Sequence, residues 1–92
     1  MDARQRLAIV TSRCFVTAMP ATKDILRHAA YSQRVGREIR SSDDLTDDEV
    51  KTMLEQWEDY QLAFSPSERG RKEIQAAATK YQESHGQTRM EL

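Results

Sequence analysis

The stretch LTDDEV, residues 45–50, carries the clearest structural signal in this chain of 92 residues. Thr46 and Glu49 have the spacing of a capping box, in which each side chain accepts a hydrogen bond from the backbone N–H of the other at a helix start. Leu45 and Val50 flank the box and fit a hydrophobic staple. The stretch therefore predicts a helix that begins at residue 47.

Apolar residues continue at helical spacing after this start. Val50, Met53, Leu54 and Trp57 recur three or four positions apart and predict a helix over residues 47–63 with these side chains on its inner face. Leu62 extends the same stripe. Trp57 is therefore interpreted as a core residue rather than an interface anchor.

A second capping signal follows in the stretch SPSE, residues 65–68. Ser65 is interpreted as the cap, Pro66 as the first helical residue, where no N–H is required, and Glu68 as the residue that closes the box. These residues predict a helix over 66–84. Gly70 is expected to weaken its first turns by about 1 kcal/mol relative to alanine.

The first part of the chain predicts two more helices. Asp2 is suited to cap a helix over residues 3–18, which Pro20 would end. Thr22 is suited to cap the next helix, over residues 23–35. The inner faces of these two helices are expected to carry the apolar residues Leu7, Val10, Cys14, Ile25, Leu26, Ala29 and Ala30, and Gly36 is expected to end the second helix.

The pattern as a whole predicts an all-α fold, a compact bundle of about four helices. No segment alternates apolar and polar residues long enough to indicate a strand. We expect a single helical domain over residues 1–85 and a flexible tail over residues 86–92. The longest apolar runs are far shorter than the roughly 20 residues that cross a bilayer, so no membrane-spanning segment is expected.

The residue types argue against catalysis and metal binding. One cysteine and two histidines occur, without the spacings of zinc sites. Neither a glycine-rich phosphate loop nor a serine nucleophile motif is present. We therefore expect no enzyme activity, no metal and no cofactor. Cys14 cannot form an internal disulfide, and this favours a cytoplasmic protein.

Charge is distributed unevenly, although the net charge is only −1. Residues 1–40 carry eight basic and three acidic groups, whereas residues 41–64 carry one basic and eight acidic groups. A basic face for phosphates or for a partner protein is predicted at Arg27, Arg34, Arg37, Arg40, Arg69, Arg71 and Lys72. The alternative is that these cations pair with the acidic third helix inside the same molecule.

A second candidate surface combines aromatic and acidic residues. Tyr60 and Phe64 would mark a docking or dimer surface if the bundle leaves them uncovered. The acidic groups Asp47, Asp48, Glu55 and Asp59 could attract a basic partner or imitate the charge of DNA. The simpler interpretation of acidic groups at a helix start is that they complement the helix dipole.

Residues 35–50 resemble the small C-terminal helical domain of phage single-strand annealing recombinases and related phage DNA-metabolism proteins. The matching positions are Arg37, Ile39, Ser41, Ser42, Leu45, Thr46 and Glu49. The large annealing domain of those recombinases has no counterpart in these residues, so the resemblance does not imply annealing activity. It implies docking onto partners such as single-stranded DNA-binding protein or an exonuclease, with DNA contact in some cases.

Together these observations predict a non-enzymatic accessory protein of phage or mobile-element type. It would bind a protein partner in DNA recombination, replication or defence, and it could form a homodimer. Two alternatives stay open, a direct nucleic-acid-binding protein that uses the basic helices and an acidic DNA mimic that inhibits a nucleic-acid enzyme.

Overall fold

The computed structural model describes residues 2–85. This part of the chain forms four α-helices, which are α1 (Ala3–Ser12), α2 (Pro20–Val35), α3 (Asp47–Trp57) and α4 (Glu68–Ser84). Short 3₁₀ turns follow α1 at Arg13–Phe15 and precede α3 at Ser42–Asp44. No strand occurs among the described residues, and the prediction of an all-α bundle is confirmed. The predicted tail, residues 86–92, lies outside them.

The start of α3 is the one that the sequence predicts. Oγ1 of Thr46 accepts a hydrogen bond from the Glu49 N–H at 3.1 Å, and Oε1 of Glu49 accepts one from the Thr46 N–H at 2.9 Å. Leu45 and Val50 are both buried beside this box. The capping box is confirmed, and α3 begins at Asp47.

The first helix begins as predicted but ends earlier. Asp2 caps α1 by accepting a hydrogen bond from the Gln5 N–H at 2.9 Å. The α-helix then stops at Ser12, and the chain continues as a tighter 3₁₀ turn instead of a helix to residue 18. Met19 is extended, because a residue that precedes a proline is disfavoured in the helical region.

The second helix begins two residues before its predicted cap. Pro20 is the first residue of α2, since a proline at this position needs no N–H partner, and Thr22 lies inside the helix. Gly36 ends α2 with a left-handed φ of 80°, as predicted. The expectation that Ile25 is buried was wrong, because α2 packs through the face of Ala29 and Ala30 and leaves Ile25 52% exposed.

The third helix ends at Trp57 and does not extend to residue 63. Glu58 is extended and forms an isolated antiparallel bridge with Pro66. The carbonyl oxygen of Trp57 accepts a hydrogen bond from the Ser67 N–H at 2.8 Å. The next segment therefore folds back on the end of α3, and Leu62 becomes exposed rather than buried.

The fourth helix begins two residues later than predicted. Ser67, not Ser65, is the cap of α4, and its Oγ accepts a hydrogen bond from the Gly70 N–H at 2.9 Å. Gly70 lies directly against the end of α3, where a Cβ atom would come within 2.3 Å of the carbonyl oxygen of Trp57. A glycine is therefore required at this contact.

The helices pack as two pairs around one core. α2 packs along α4, and α1 packs along α3. α4 begins beside the end of α1, where Gln75 Nε2 donates to the Cys14 carbonyl at 2.9 Å, and it ends beside the end of α2. The largest fully buried side chains are Trp57, Tyr31, Leu7, Met53, Ile74, Val10, Val50 and Thr11. Within residues 2–85, none of the helices is long and apolar enough to span a bilayer.

Candidate interaction surfaces

The predicted basic face does not form one continuous patch. Arg69, Arg71 and Lys72 lie in the first turns of α4, beside the end of α1. Arg34, Arg37 and Arg40 lie at or beyond the last turn of α2, next to the opposite end of α4.

Arg37 is the most firmly held of these arginines. Its Nη1 and Nη2 both donate to the carboxylate of Glu49, and Nη2 also donates to the Asp44 carbonyl at 2.8 Å. The bonds from Arg37, together with the Thr46 N–H, lower the pKa of Glu49 to about 2. Arg37 therefore links the end of α2 to the start of α3.

Three other basic side chains near α2 and its end also have partners inside the molecule. Arg34 Nε donates to Oε1 of Gln56 on α3 at 2.9 Å. Arg40 forms an exposed ion pair with Glu38 at 3.0 Å. Arg27 contacts Asp24 and Ser12 through Nη1, each at 3.2 Å.

The cations of α4 are only partly engaged. Arg69 pairs with Glu73 one turn later at 2.9 Å, and Arg71 donates to the Arg13 carbonyl at 3.2 Å. Lys72 is exposed, and its side chain has no hydrogen bond with another of residues 2–85. Most of the predicted basic face is thus hydrogen-bonded within the molecule.

The acidic residues named from the sequence have separate roles. Asp47 accepts a hydrogen bond from Arg4 of α1 at 2.8 Å. Asp48 and Glu55 are exposed on α3. Asp59 lies beyond the end of α3 and shapes the loop that follows. The structure therefore does not gather these carboxylates into one site.

The 58–67 loop, which comprises residues 58–67 between α3 and α4, is densely hydrogen-bonded. Oδ1 of Asp59 accepts from the N–H groups of Gln61 at 2.8 Å and Leu62 at 3.2 Å. The Ser65 N–H donates to the Leu62 carbonyl, and the Asp59 N–H donates to the Ser65 carbonyl. These bonds connect the tip of the loop to its two ends.

Glu58 anchors the base of this loop to α1. Its Oε2 accepts from Arg6 Nε at 2.8 Å and from the Phe64 N–H at 2.7 Å. Burial alone would raise the pKa of Glu58, but the hydrogen bonds from Arg6 and Phe64 outweigh it and lower the pKa. Phe64 has a left-handed φ of 66°, and the Arg6 guanidinium lies over its ring at 5.4 Å.

The 58–67 loop presents two large apolar side chains to water. Tyr60 is 93% exposed and Leu62 is 62% exposed. Phe64 is half-buried beneath the Arg6 guanidinium. Of the two aromatic residues named from the sequence, Tyr60 is thus available to a partner, and Phe64 is largely part of the support of the loop.

The sequence prediction missed a further surface, here called the α1–α2 groove. It has a volume of about 380 Å³ and is lined by Ser12, by the apolar residues Ala8, Ile9 and Val16, here called its floor, and by the basic residues Arg13, Lys23 and Arg27, here called its rim. Val16 is 67% exposed, although helical spacing placed it in a continuous first helix. The early end of α1 at Ser12, which the apolar spacing of residues 3–18 does not indicate, exposes this surface.

The titratable residues suited to chemistry are isolated. Burial raises the pKa of the Cys14 thiol to about 11, so the thiol is protonated at neutral pH. His85 stacks on Tyr81 at the end of α4, with ring centroids 3.8 Å apart. Among residues 2–85 no three His, Cys, Asp or Glu side chains come close enough together to hold a metal ion.

Comparison with protein-family models, with curated proteins and with solved structures finds no match to this chain. Inference about function therefore depends on the surfaces of the molecule itself.

Proposed function

We propose that this protein is a non-enzymatic adaptor or modulator that binds a partner protein through the 58–67 loop. The observation that carries the proposal is a loop with many internal hydrogen bonds and with Tyr60 93% exposed at its surface. Tyrosine is enriched among the residues that dominate binding energy at protein interfaces. A backbone that is already ordered loses little conformational freedom when the partner binds.

The hydrogen bonds of the loop support this proposal. Asp59 and Glu58 each use a carboxylate to accept backbone N–H groups within the loop, and Glu58 also binds Arg6. Phe64 is held in a left-handed conformation, which costs a non-glycine residue on the order of 1 kcal/mol or more. The loop is therefore stabilised in a shape that leaves Tyr60 and Leu62 in water.

A role in DNA processing is proposed from the resemblance of residues 35–50 to helical domains of phage recombinases. In this protein the same segment ties α2 to α3 through Arg37 and Glu49. The partner would act in recombination, replication or defence. Because most of the basic face is bonded inside the molecule, we favour contact through a protein partner over direct binding of nucleic acid.

The proposal can be tested by site-specific crosslinking. A photoreactive amino acid at position 60 should crosslink a discrete partner in the source cell, and the yield should fall when Leu62 is changed to alanine. The same amino acid at Thr79, an exposed position on α4, is the matched control. Equal crosslinking from both positions would contradict the proposal, whereas a crosslink to a second copy of this chain would assign the loop to a homodimer.

The two alternatives are tested separately with purified protein. Fluorescence anisotropy of labelled single- and double-stranded DNA at about 50 and 200 mM salt reports phosphate contacts, which weaken steeply over this range. We expect no binding at either salt concentration. Tight, salt-sensitive binding that is lost in Lys72→Glu would favour direct DNA binding. Inhibition of a nucleic-acid enzyme that is lost in Asp48→Asn with Glu55→Gln would favour the DNA mimic.

A further inference from the structure

The α1–α2 groove is a second surface, formed by residues that the 58–67 loop does not include. Its floor is aliphatic, with Ile9 half-buried and Val16 67% exposed. Met19 follows in the connection to α2 and is 72% exposed. Two large apolar side chains are therefore in water at the end of the molecule where α1 turns into α2.

The rim of the groove is basic. Arg13, Lys23 and Arg27 line it, and none of the side chains that line it is acidic. Asp24 is the nearest counter-charge, and it contacts only Nη1 of Arg27. Nε of Arg27 is buried and has no hydrogen-bond partner among the described residues. This buried atom cannot reach a ligand, and the feature of the rim that a ligand meets is its excess of positive charge.

The segment that forms the groove also carries a net positive charge. Residues 3–35 contain six basic groups and one acidic group, whereas residues 41–64 contain one basic and eight acidic groups. Arg4 and Arg6 are neutralised by Asp47 and Glu58, so the positive charge that an acidic ligand meets at this surface is that of the rim itself. Charge complementarity therefore selects an acidic occupant for the α1–α2 groove.

We propose that the α1–α2 groove binds an acidic peptide segment of a partner protein, with large aliphatic or aromatic side chains on the floor and carboxylates on the rim. The aliphatic floor favours a peptide over a nucleic acid, because nucleic-acid bases usually stack on aromatic side chains and none lines this groove. This proposal goes beyond the function of the 58–67 loop. It gives the adaptor a second binding site.

The test uses the full chain and three labelled peptides in fluorescence anisotropy. The first peptide is an amphipathic sequence of leucine and glutamate, the second has lysine in place of glutamate, and the third has alanine in place of leucine. We expect the first to bind and the other two to bind at least about tenfold more weakly, because lysines are repelled by the rim and alanines lose the apolar contacts of the floor. A tenfold change corresponds to about 1.4 kcal/mol.

Two protein variants locate the site. Lys23→Glu should weaken binding of the leucine–glutamate peptide about tenfold or more, because it places a like charge on the rim. Val16→Asp should have a similar effect and is expected to fold, since residue 16 is largely exposed. Lys80→Glu is the matched control, because Lys80 is an exposed lysine in the last turns of α4, which lie beside the end of α2 and away from the groove. It should leave the affinity within about twofold of wild type, as expected for a charge remote from the contact.

Several results would overturn the proposal. They are equal binding of the glutamate and lysine peptides, an equal loss in Lys80→Glu and Lys23→Glu, no binding of any peptide, and tighter binding of an oligo-thymidine strand that is lost in Lys23→Glu. Crosslinking from position 60 is measured independently in the Lys23→Glu protein. If position 60 still crosslinks a partner but the wild-type protein binds none of the peptides, the groove proposal fails and the proposed role of the 58–67 loop stands.

Discussion

The starts of α3 and α4 look alike but are stabilised differently. At the start of α3, Thr46 and Glu49 satisfy each other's N–H groups, and Leu45 and Val50 are buried beside them. At the start of α4, the Ser67 N–H donates to the carbonyl of Trp57, and Gly70 packs against the backbone of the same residue.

A helix start can therefore be specified by neighbouring residues in the sequence or by contacts with another helix. The capping box and its flanking apolar pair lie within six consecutive residues, so the local sequence can specify where α3 begins, and Arg4 and Arg37 add contacts from other parts of the fold. The start of α4 also requires that α3 has ended and that Trp57 is in place. Substitutions at the two starts should therefore differ in size and in what they disrupt.

The largest expected effect is that of Gly70→Ala. Alanine normally stabilises a helix interior by about 1 kcal/mol relative to glycine. Here the new Cβ would lie 2.3 Å from the Trp57 carbonyl oxygen, a backbone atom, so α4 must move away from α3. We expect a net loss of about 3 kcal/mol, measured by urea denaturation.

Gly36→Ala provides the matched control for this substitution. Gly36 has a φ of 80°, but no atom lies within 4 Å of the position of its Cβ. Only the strain of a left-handed residue applies, about 1 to 2 kcal/mol. If Gly70→Ala lowers the free energy of unfolding less than Gly36→Ala does, Gly70 is not in close contact with Trp57.

The next effects are those of the caps. Thr46→Ala and Ser67→Ala should each cost about 1 kcal/mol, because each removes the acceptor of a backbone N–H at a helix start. Ser65→Ala should cost less than about 0.5 kcal/mol, because Ser65 is not a cap and its Oγ only accepts from exposed Arg13. Thermal unfolding of the three variants checks this order. A larger loss at Ser65 than at Ser67 would restore the helix start predicted from the sequence.

A smaller effect depends on pH. Arg37 lowers the pKa of Glu49 from its ordinary value of 4.5 to about 2. The negative charge of Glu49 therefore stabilises the fold fully above pH 4.5, and this stabilisation is lost as the pH falls toward 2. Glu49→Gln keeps a side-chain acceptor for the capping box but removes the charge. Its thermal midpoint should be lower than that of wild type at pH 7, and the gap should close between pH 4.5 and 2. A gap that is constant with pH would argue against the ion pair with Arg37.

The smallest effect on stability is expected for Tyr60→Ala. Tyr60 is 93% exposed, so its removal should change the free energy of unfolding by less than about 0.5 kcal/mol, as judged from the shift in thermal midpoint. Crosslinking of a partner from a photoreactive amino acid at the exposed position 63 should nevertheless be lost, because the anchoring ring is gone although the loop keeps its backbone hydrogen bonds. A clear loss of stability would mean that Tyr60 supports the loop and is not available to a partner.

Local signals could be read from the sequence, and signals that depend on tertiary contacts could not. The cap at Asp2, the box at Thr46 and the left-handed end at Gly36 depend on a few neighbouring residues, and all three are confirmed. The end of α3 at Trp57 depends on a hydrogen bond from Ser67, ten residues further along the chain. The spacing of apolar residues over 58–63 does not indicate that this hydrogen bond forms.

The same distinction applies to the candidate surfaces. Helical spacing placed Val16 and Leu62 on continuous helices, and both become exposed because α1 and α3 end early. Tyr60 could be named from the sequence because its residue type is common at interfaces. The pairing of Arg37 with Glu49 was an open alternative, because sequence alone does not show which helix ends meet.

Because the chain has one cysteine, labelling of its thiol can report local unfolding of the protein. Cys14 is 5% exposed, and burial keeps its thiol protonated and unreactive in the folded chain. A thiol reagent can therefore modify the native chain only after the end of α1 separates from α4. The labelling rate, followed over hours without any added mutation, reports how often that junction opens.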